Sequence, residues 1–175
     1  MILSFLQFAF LVSANIPALD TLQKTFKSVK SFEVSFTQEL KQSLFPDDPD
    51  RASGRLMFTR PHSMSWTYVK PKPREILFDG SELKITEGKE VTIIRDSGRV
   101  TLEKSFSFLW GSPDLSLFKI QSNSKSSFIV MPQRAIEVNF DRIEVKLDGK
   151  LVSSVRVIDK LGSESLLSFS NWKFH

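Results

Sequence analysis

Arg60 is the residue of this chain whose setting most calls for a chemical role. It follows Leu56-Met57-Phe58-Thr59 and precedes Pro61-His62-Ser63-Met64-Ser65-Trp66. Alternate residues of a strand share a face, so Arg60 is expected to point where Leu56 and Phe58 point. Met64 and Trp66 continue the large side chains after the proline break. A buried cation without a partner is costly, whereas one that meets carbonyl oxygens acts as a latch. The chemistry implied is recognition, an apolar cavity with a polar catch. The plainer alternative is a strand-end arginine that reaches solvent along its own stem.

Catalytic and metal chemistry is poorly provided for. The chain has no cysteine, which removes disulfides, thiol catalysis, cysteine zinc sites and a lipid-modified N-terminal Cys. Its only histidines are His62 and His175, so neither a triad nor a two-His metal site is expected. Asp47, Asp48 and Asp50 lie among prolines in Phe45–Asp50 without the spacing of a calcium loop, and read as a turn. No catalytic residue, metal or cofactor is expected. The 24 basic and 20 acidic residues are interspersed for a net +4, and Arg142-Ile143-Glu144-Val145-Lys146 is interrupted by Glu. That is a solvated face rather than a nucleic-acid surface.

The elements that must carry the cavity come next. One domain is expected from 175 residues, with 16 Phe against a single Tyr. Phenylalanine brings bulk without a polar handle, which suits a dry interior or an acyl-chain pocket; on the count alone, plain core is the better reading. Residues Ile2–Val12 form an apolar run followed by Val12-Ser13-Ala14, a small-residue cleavage site. They read as a secretory signal cleaved near Ala14, with no Lys or Arg before the run, and are too short to span a bilayer. Residues 15–175 are then the single domain. A buried N-terminal helix or strand is the alternative for that run.

Asn15 as cap, Pro17 and Asp20 mark the start of a helix, with Leu19, Leu22, Phe26 and Val29 on one face. Period two begins at Phe32, Val34 and Phe36. Turn dipeptides at Asp79-Gly80, Glu87-Gly88, Ser97-Gly98, Asp148-Gly149 and Leu161-Gly162 then punctuate short strands. Those strands are Arg74–Phe78, Glu82–Thr86, Glu90–Arg95, Arg99–Glu103, Phe128–Met131, Ile136–Leu147, Leu151–Asp159 and Glu164–Phe174. Ser105–Gly111 breaks the meander: Phe106, Leu109 and Trp110 share one face of a short apolar helix that also holds Phe108. The expected fold is α+β and mainly antiparallel β, an incomplete, strongly curved barrel closed by the N-terminal helix and a short apolar lid helix. A plug at the barrel end is the alternative role for that second helix.

With these pieces placed, the chain resembles the LolA family of periplasmic lipoprotein carriers. The likeness lies in Ser31-Phe32-Glu33-Val34-Ser35-Phe36-Thr37-Gln38, the Gly54–Trp66 block around Arg60-Pro61, and Ile76-Leu77-Phe78-Asp79-Gly80. The apolar helix and the Asp148-Gly149 hairpin follow in the expected order. Met64 departs from the family's frequent aromatic, and many members continue beyond the last strand. The resemblance implies an incomplete barrel whose apolar cavity takes the acyl chains of lipoproteins. It implies receipt from an inner-membrane ABC-type release complex and delivery to an outer-membrane acceptor, with the carrier monomeric. On that reading Arg60 bonds carbonyls of the lid helix, residues 105–110, and Phe36, Phe58, Met64, Trp66 and Leu77 line the cavity. Related barrels act as acceptors, anchored through a lipidated Cys that this chain lacks, or as lipid sensors with a second domain. A carrier of phospholipid or glycolipid on the same fold is the remaining alternative.

Overall fold

The computed structural model describes residues 16–42, 44–95, 107, 116–133, 138 and 140–175. Helix α1 spans Pro17–Phe26, with Pro in its first turn, Asp20 near its positive end and Ile16 at the cap position. At 10 residues it is too short to persist alone, so its helicity depends on docking. Ala18, Leu19, Leu22 and Phe26 supply that docking by burying one stripe against the core. Asn15, the expected cap, lies outside the described residues, as does the apolar run of residues 1–14.

Eleven strands follow among the described residues, all paired antiparallel. They are β1 Ser31–Gln42, β2 Phe45–Thr59, β3 Ser63–Lys70, β4 Arg74–Phe78, β5 Glu82–Glu87, β6 Glu90–Arg95, β7 Phe118–Ser124, β8 Ser127–Pro132, β9 Phe140–Asp148, β10 Leu151–Asp159 and β11 Glu164–Phe174. Their order in the one sheet is β6-β5-β4-β3-β2-β1-β11-β10-β9-β8-β7. The first and last strands therefore meet at its centre, while β6 and β7 stand at its two edges without pairing to each other. The barrel is open, as expected. A sheet this wide must twist and curl, and the single core cluster lies on its concave face with α1, which touches β7, β8 and β10.

Two expectations change. Phe45–Asp50 is not a free turn: β2 begins at Phe45, with Gln42 opposite Phe45 and Leu40 opposite Asp50. The intervening residues form an irregular step in the ladder, where Pro46 and Pro49 have no amide hydrogen to donate. Strand β7 was not anticipated, because Ser122, Asn123 and Ser124 dilute its alternation; pairing with β8 holds it. The expected strand at Arg99–Glu103, the Ser97-Gly98 turn and the lid residues Phe106, Phe108, Leu109 and Trp110 lie outside the described residues.

A bulge decides which side of the sheet the last strand offers to the core. Between Glu33↔Lys173 and Ser35↔Ser170, β11 carries an extra residue, and Asn171 sits at φ 56. Asparagine tolerates that left-handed backbone. The step reverses the alternation, so Phe169 and Trp172 both reach the concave face although their numbers differ in parity. Trp172 then packs on Phe26, Phe32 and Phe169 and donates its indole N–H to the Val152 carbonyl at 3.2 Å.

Candidate functional site

Cross-strand partners on the concave face of β1 to β6 line up as rungs. The first rung is Phe32, Phe58, Met64, Phe78, Leu83 and Ile94. The second is Val34, Leu56, Trp66, Ile76, Ile85 and Thr92. The third is Phe36, Gly54, Tyr68, Arg74, Glu87 and Glu90. Beyond it come Gln38 opposite Ala52 and Leu40 opposite Asp50. The face thus passes from wholly apolar to charged within three rungs, about 7 Å apart at two residues of strand rise each.

At the apolar end the rungs are buried from β1 to β3 and at Phe78, and open toward β6, where Thr92 and Ile94 are exposed. Phe32, Phe58, Met64, Phe78, Val34, Leu56 and Trp66 are all buried. Phe32 meets Phe26 and Phe58 at 5.5 Å and Trp172 at 5.2 Å between ring centroids. Such edge-on and tilted pairs add to the burial of large aromatic area.

Arg60 stands at this end, just past β2. Its Nε donates to the Val29 carbonyl at 2.8 Å and its Nη2 to the Phe26 carbonyl at 3.0 Å, while its backbone N–H donates to Lys30 O at 2.9 Å. The last carbonyls of a helix have no partner within it, and the negative helix end favours a cation. The side chain leaves on the side expected from its parity and finds carbonyl oxygens. They belong to Phe26, the last residue of α1, and to Val29 in the turn that follows it; the lid residues implied as partners lie, apart from Ser107, outside the described residues. Arg60 as a whole is exposed, so this is a clasp at the rim.

Of the expected wall residues, Phe36, Phe58, Met64 and Trp66 face the concave side and are buried. Leu77 does not join them. It registers with Ser65 and Lys84, on the outer face, and is half-buried there. Three consecutive apolar residues, Ile76-Leu77-Phe78, left the parity open; pairing with Trp66 and Met64 sends Ile76 and Phe78 inward instead.

The opening lies at the other end. A pocket of about 790 Å³ is bordered by Gln38, Leu40, Asp50, Tyr68, Arg74 and Glu87, among others. Phe58, Met64 and Trp66 border none of the three pockets described. Tyr68 closes the apolar interior: its ring packs edge-on against Phe36 at 5.2 Å, and Phe36 in turn meets Trp66 at 5.4 Å. Its hydroxyl donates to Gln38 Oε1 at 3.0 Å, and Gln38 Nε2 donates to Ser165 Oγ at 2.7 Å. This polar chain crosses β3, β1 and β11. Arg74 Nε meets Glu87 Oε1 at 2.7 Å beside it. Burial pushes the Tyr68 phenol above its ordinary value, partly offset by the Arg74 charge.

These mouth residues were not singled out from the sequence, although one signal was present. Gln38 continues the inward parity of Phe32, Val34 and Phe36, and a polar residue on an apolar parity marks a change of environment. Glycine at the third rung is demanded by contact, since a Cβ on Gly54 would run into the Thr67 carbonyl oxygen. Among the described residues there is no group of three or more metal-ligating side chains, and no helix long and apolar enough to cross a membrane.

Comparisons with known proteins agree with this architecture. The family described as outer membrane lipoprotein carrier protein LolA matches residues 27–175. An outer-membrane lipoprotein carrier protein of Methylibium petroleiphilum is 26% identical over 168 residues, covering 92% of this chain and 81% of the relative. One of Cupriavidus taiwanensis is 27% identical over 177 residues, covering 93% of this chain and 81% of the relative. The crystal structure of a LolA superfamily protein from Nitrosomonas europaea shares the fold, with a TM-score of 0.52 at 13% identity over 92% of this chain and 94% of that one. Matched from the turn after α1 through β11, the chain belongs to the LolA family of outer membrane lipoprotein carrier proteins.

Proposed function

We propose that the protein is a periplasmic carrier that takes acylated lipoproteins from an inner-membrane ABC-type release complex to an outer-membrane acceptor, working as a single 15–175 domain. The observation that carries this reading is the concave face, whose first two rungs are apolar from β1 to β5 and meet Phe26 of α1 at Phe32, with Arg60 bonded to the Phe26 and Val29 carbonyls beside them. Desorbing one acyl chain of about 14 methylenes costs on the order of 11 kcal/mol at about 0.8 kcal/mol per CH₂. Spontaneous transfer through water is therefore negligible, and a soluble carrier has to offer comparable apolar surface.

The same surface must also let go. With the rungs packed on one another, the empty protein buries its own binding face, and cargo competes with that packing. Arg60 favours the empty form, because lifting α1 breaks hydrogen bonds from a charged donor worth roughly 1.5–3 kcal/mol each, less at an exposed rim. The clasp thereby weakens retention and assists delivery.

Arg60→Leu is accordingly expected to hold cargo longer and deliver it more slowly. The test is mass spectrometry of what co-purifies without detergent from a Gram-negative periplasm, wild type beside Arg60→Leu. Acylated lipoproteins on the variant and few on the wild type support the carrier and the clasp. Phospholipid or glycolipid in their place would move the reading to another lipid cargo. Empty protein in both samples, with no uptake of a fluorescent lipid, would overturn it.

A further inference from the structure

The polarity step along the concave face gives the bound molecule a direction. Resting on the carrier reading, we infer that the pocket at the β3–β4 end is the subsite for the ester- and amide-bearing junction of a single acylated amphiphile. Its chains would lie along the first two rungs with their methyl ends toward α1 and Arg60.

Three observations carry this. The apolar rungs end at Tyr68, whose ring belongs to the aromatic lining while its hydroxyl belongs to the mouth. The Tyr68–Gln38–Ser165 chain places a phenol, a carboxamide and a hydroxyl in series across three strands at that boundary. An ester or amide carbonyl arriving there finds donors that can turn from each other to it. Outside this line the pocket wall carries Arg74, Glu87, Glu90 and Asp50, a mixed-charge rim for polar atoms rather than methylenes. Its volume of about 790 Å³ lies in the range of small-ligand sites. At the opposite end, among the described residues, Phe32, Phe58, Met64, Phe78, Val34, Leu56 and Trp66 are buried and apolar, and the Arg60 guanidinium is engaged by two carbonyls. A hydrated junction pushed into those rungs would lose hydrogen bonds that nothing there replaces.

The test uses the wild-type protein and a dipalmitoyl-glyceryl lipopeptide carrying a nitroxide either on its peptide or at one acyl terminus. Paramagnetic broadening of backbone amide signals reads position. The peptide label is expected to broaden Tyr68, Arg74 and Glu87, and the acyl-terminal label Phe58, Met64 and Phe78. The reverse pattern would overturn the inference and leave the carrier reading intact. No binding of either probe would sink both. A double variant, Gln38→Leu with Tyr68→Phe, keeps the volume and is checked for folding by circular dichroism. It should weaken lipopeptide binding by about tenfold, the loss of one to two hydrogen bonds, and leave a pyrene-labelled alkane unchanged. Equal weakening of both probes would count against the junction subsite. Phosphatidylglycerol with the same chains identifies the source: equal binding means that the acyl junction alone is recognised, and weaker binding means that the peptide adds contacts.

Discussion

The two ends of the concave face are built on the same strands, with the same alternation, and do opposite things. At the α1 end, Phe32, Phe58, Met64 and Phe78 pack on one another and on Phe26 and Trp172. Two rungs away, the same β-strands present Tyr68, Arg74 and Glu87 to a pocket. One end packs buried apolar area, and the other borders a pocket with polar and charged side chains. A carrier needs both, since an interior apolar throughout has no reason to orient an amphiphile, and a polar one has none to bind it. Strand periodicity supplies neither property; it only puts each residue on its face.

The contrast is sharpest in stability. Phe32→Ala, at a side chain 1% exposed among the rings of Phe26, Phe58 and Trp172, is expected to cost about 3–5 kcal/mol, read as a shift in the urea midpoint. A loss below about 1 kcal/mol would mean that the α1 end is loosely filled, and would break the comparison. At the boundary, Gly54→Ala drives a methyl toward Thr67 O and the Tyr68 Cα, and should cost about 1–3 kcal/mol by the same measurement.

The mouth gives smaller and differently signed effects. Tyr68 is the sole tyrosine of the chain, so tyrosinate absorbance titrates this one group. Its midpoint should fall above 10.0, because burial disfavours the phenolate more than Arg74 favours it. The unfolded chain titrates near 10.0, so stability from this group is whole below that pH and is lost as pH rises through the folded value. A midpoint at or below 10.0 would mean that the boundary is wet. Arg74→Gln removes the offsetting charge and should raise the midpoint further, while changing overall stability by less than about 1 kcal/mol, since the Arg74–Glu87 pair is exposed on both sides.

Much of the ladder was legible before folding. Arg74–Phe78, Glu90–Arg95, Leu151–Asp159 and Glu164–Phe174 coincide with β4, β6, β10 and β11, because Gly-containing turns fix where each run stops. Gly80, Gly88, Gly149 and Gly162 all adopt positive φ, as those turns require. Alternation likewise placed Phe36, Phe58, Met64 and Trp66 inside. It failed at Leu77, where three apolar residues in a row carry no parity, and at β7 and the start of β2, where polar residues and prolines mask strands that exist by virtue of their neighbours.

What the amino-acid sequence determined by itself is local: the stripe of α1, the period-two runs, the turn positions, and a cation placed one step beyond the apolar residues of β2. Those follow from backbone geometry and side-chain type, which act within a few residues. Tertiary structure alone decided which carbonyls Arg60 meets, since Phe26 and Val29 lie 34 and 31 residues away along the chain. It also decided that the bulge at Asn171 turns Trp172 inward, and that Gln38, Tyr68 and Ser165 join into one polar chain across three strands. Hydrogen bonds and packing between distant segments depend on register, and register is set only when every strand has found its neighbour.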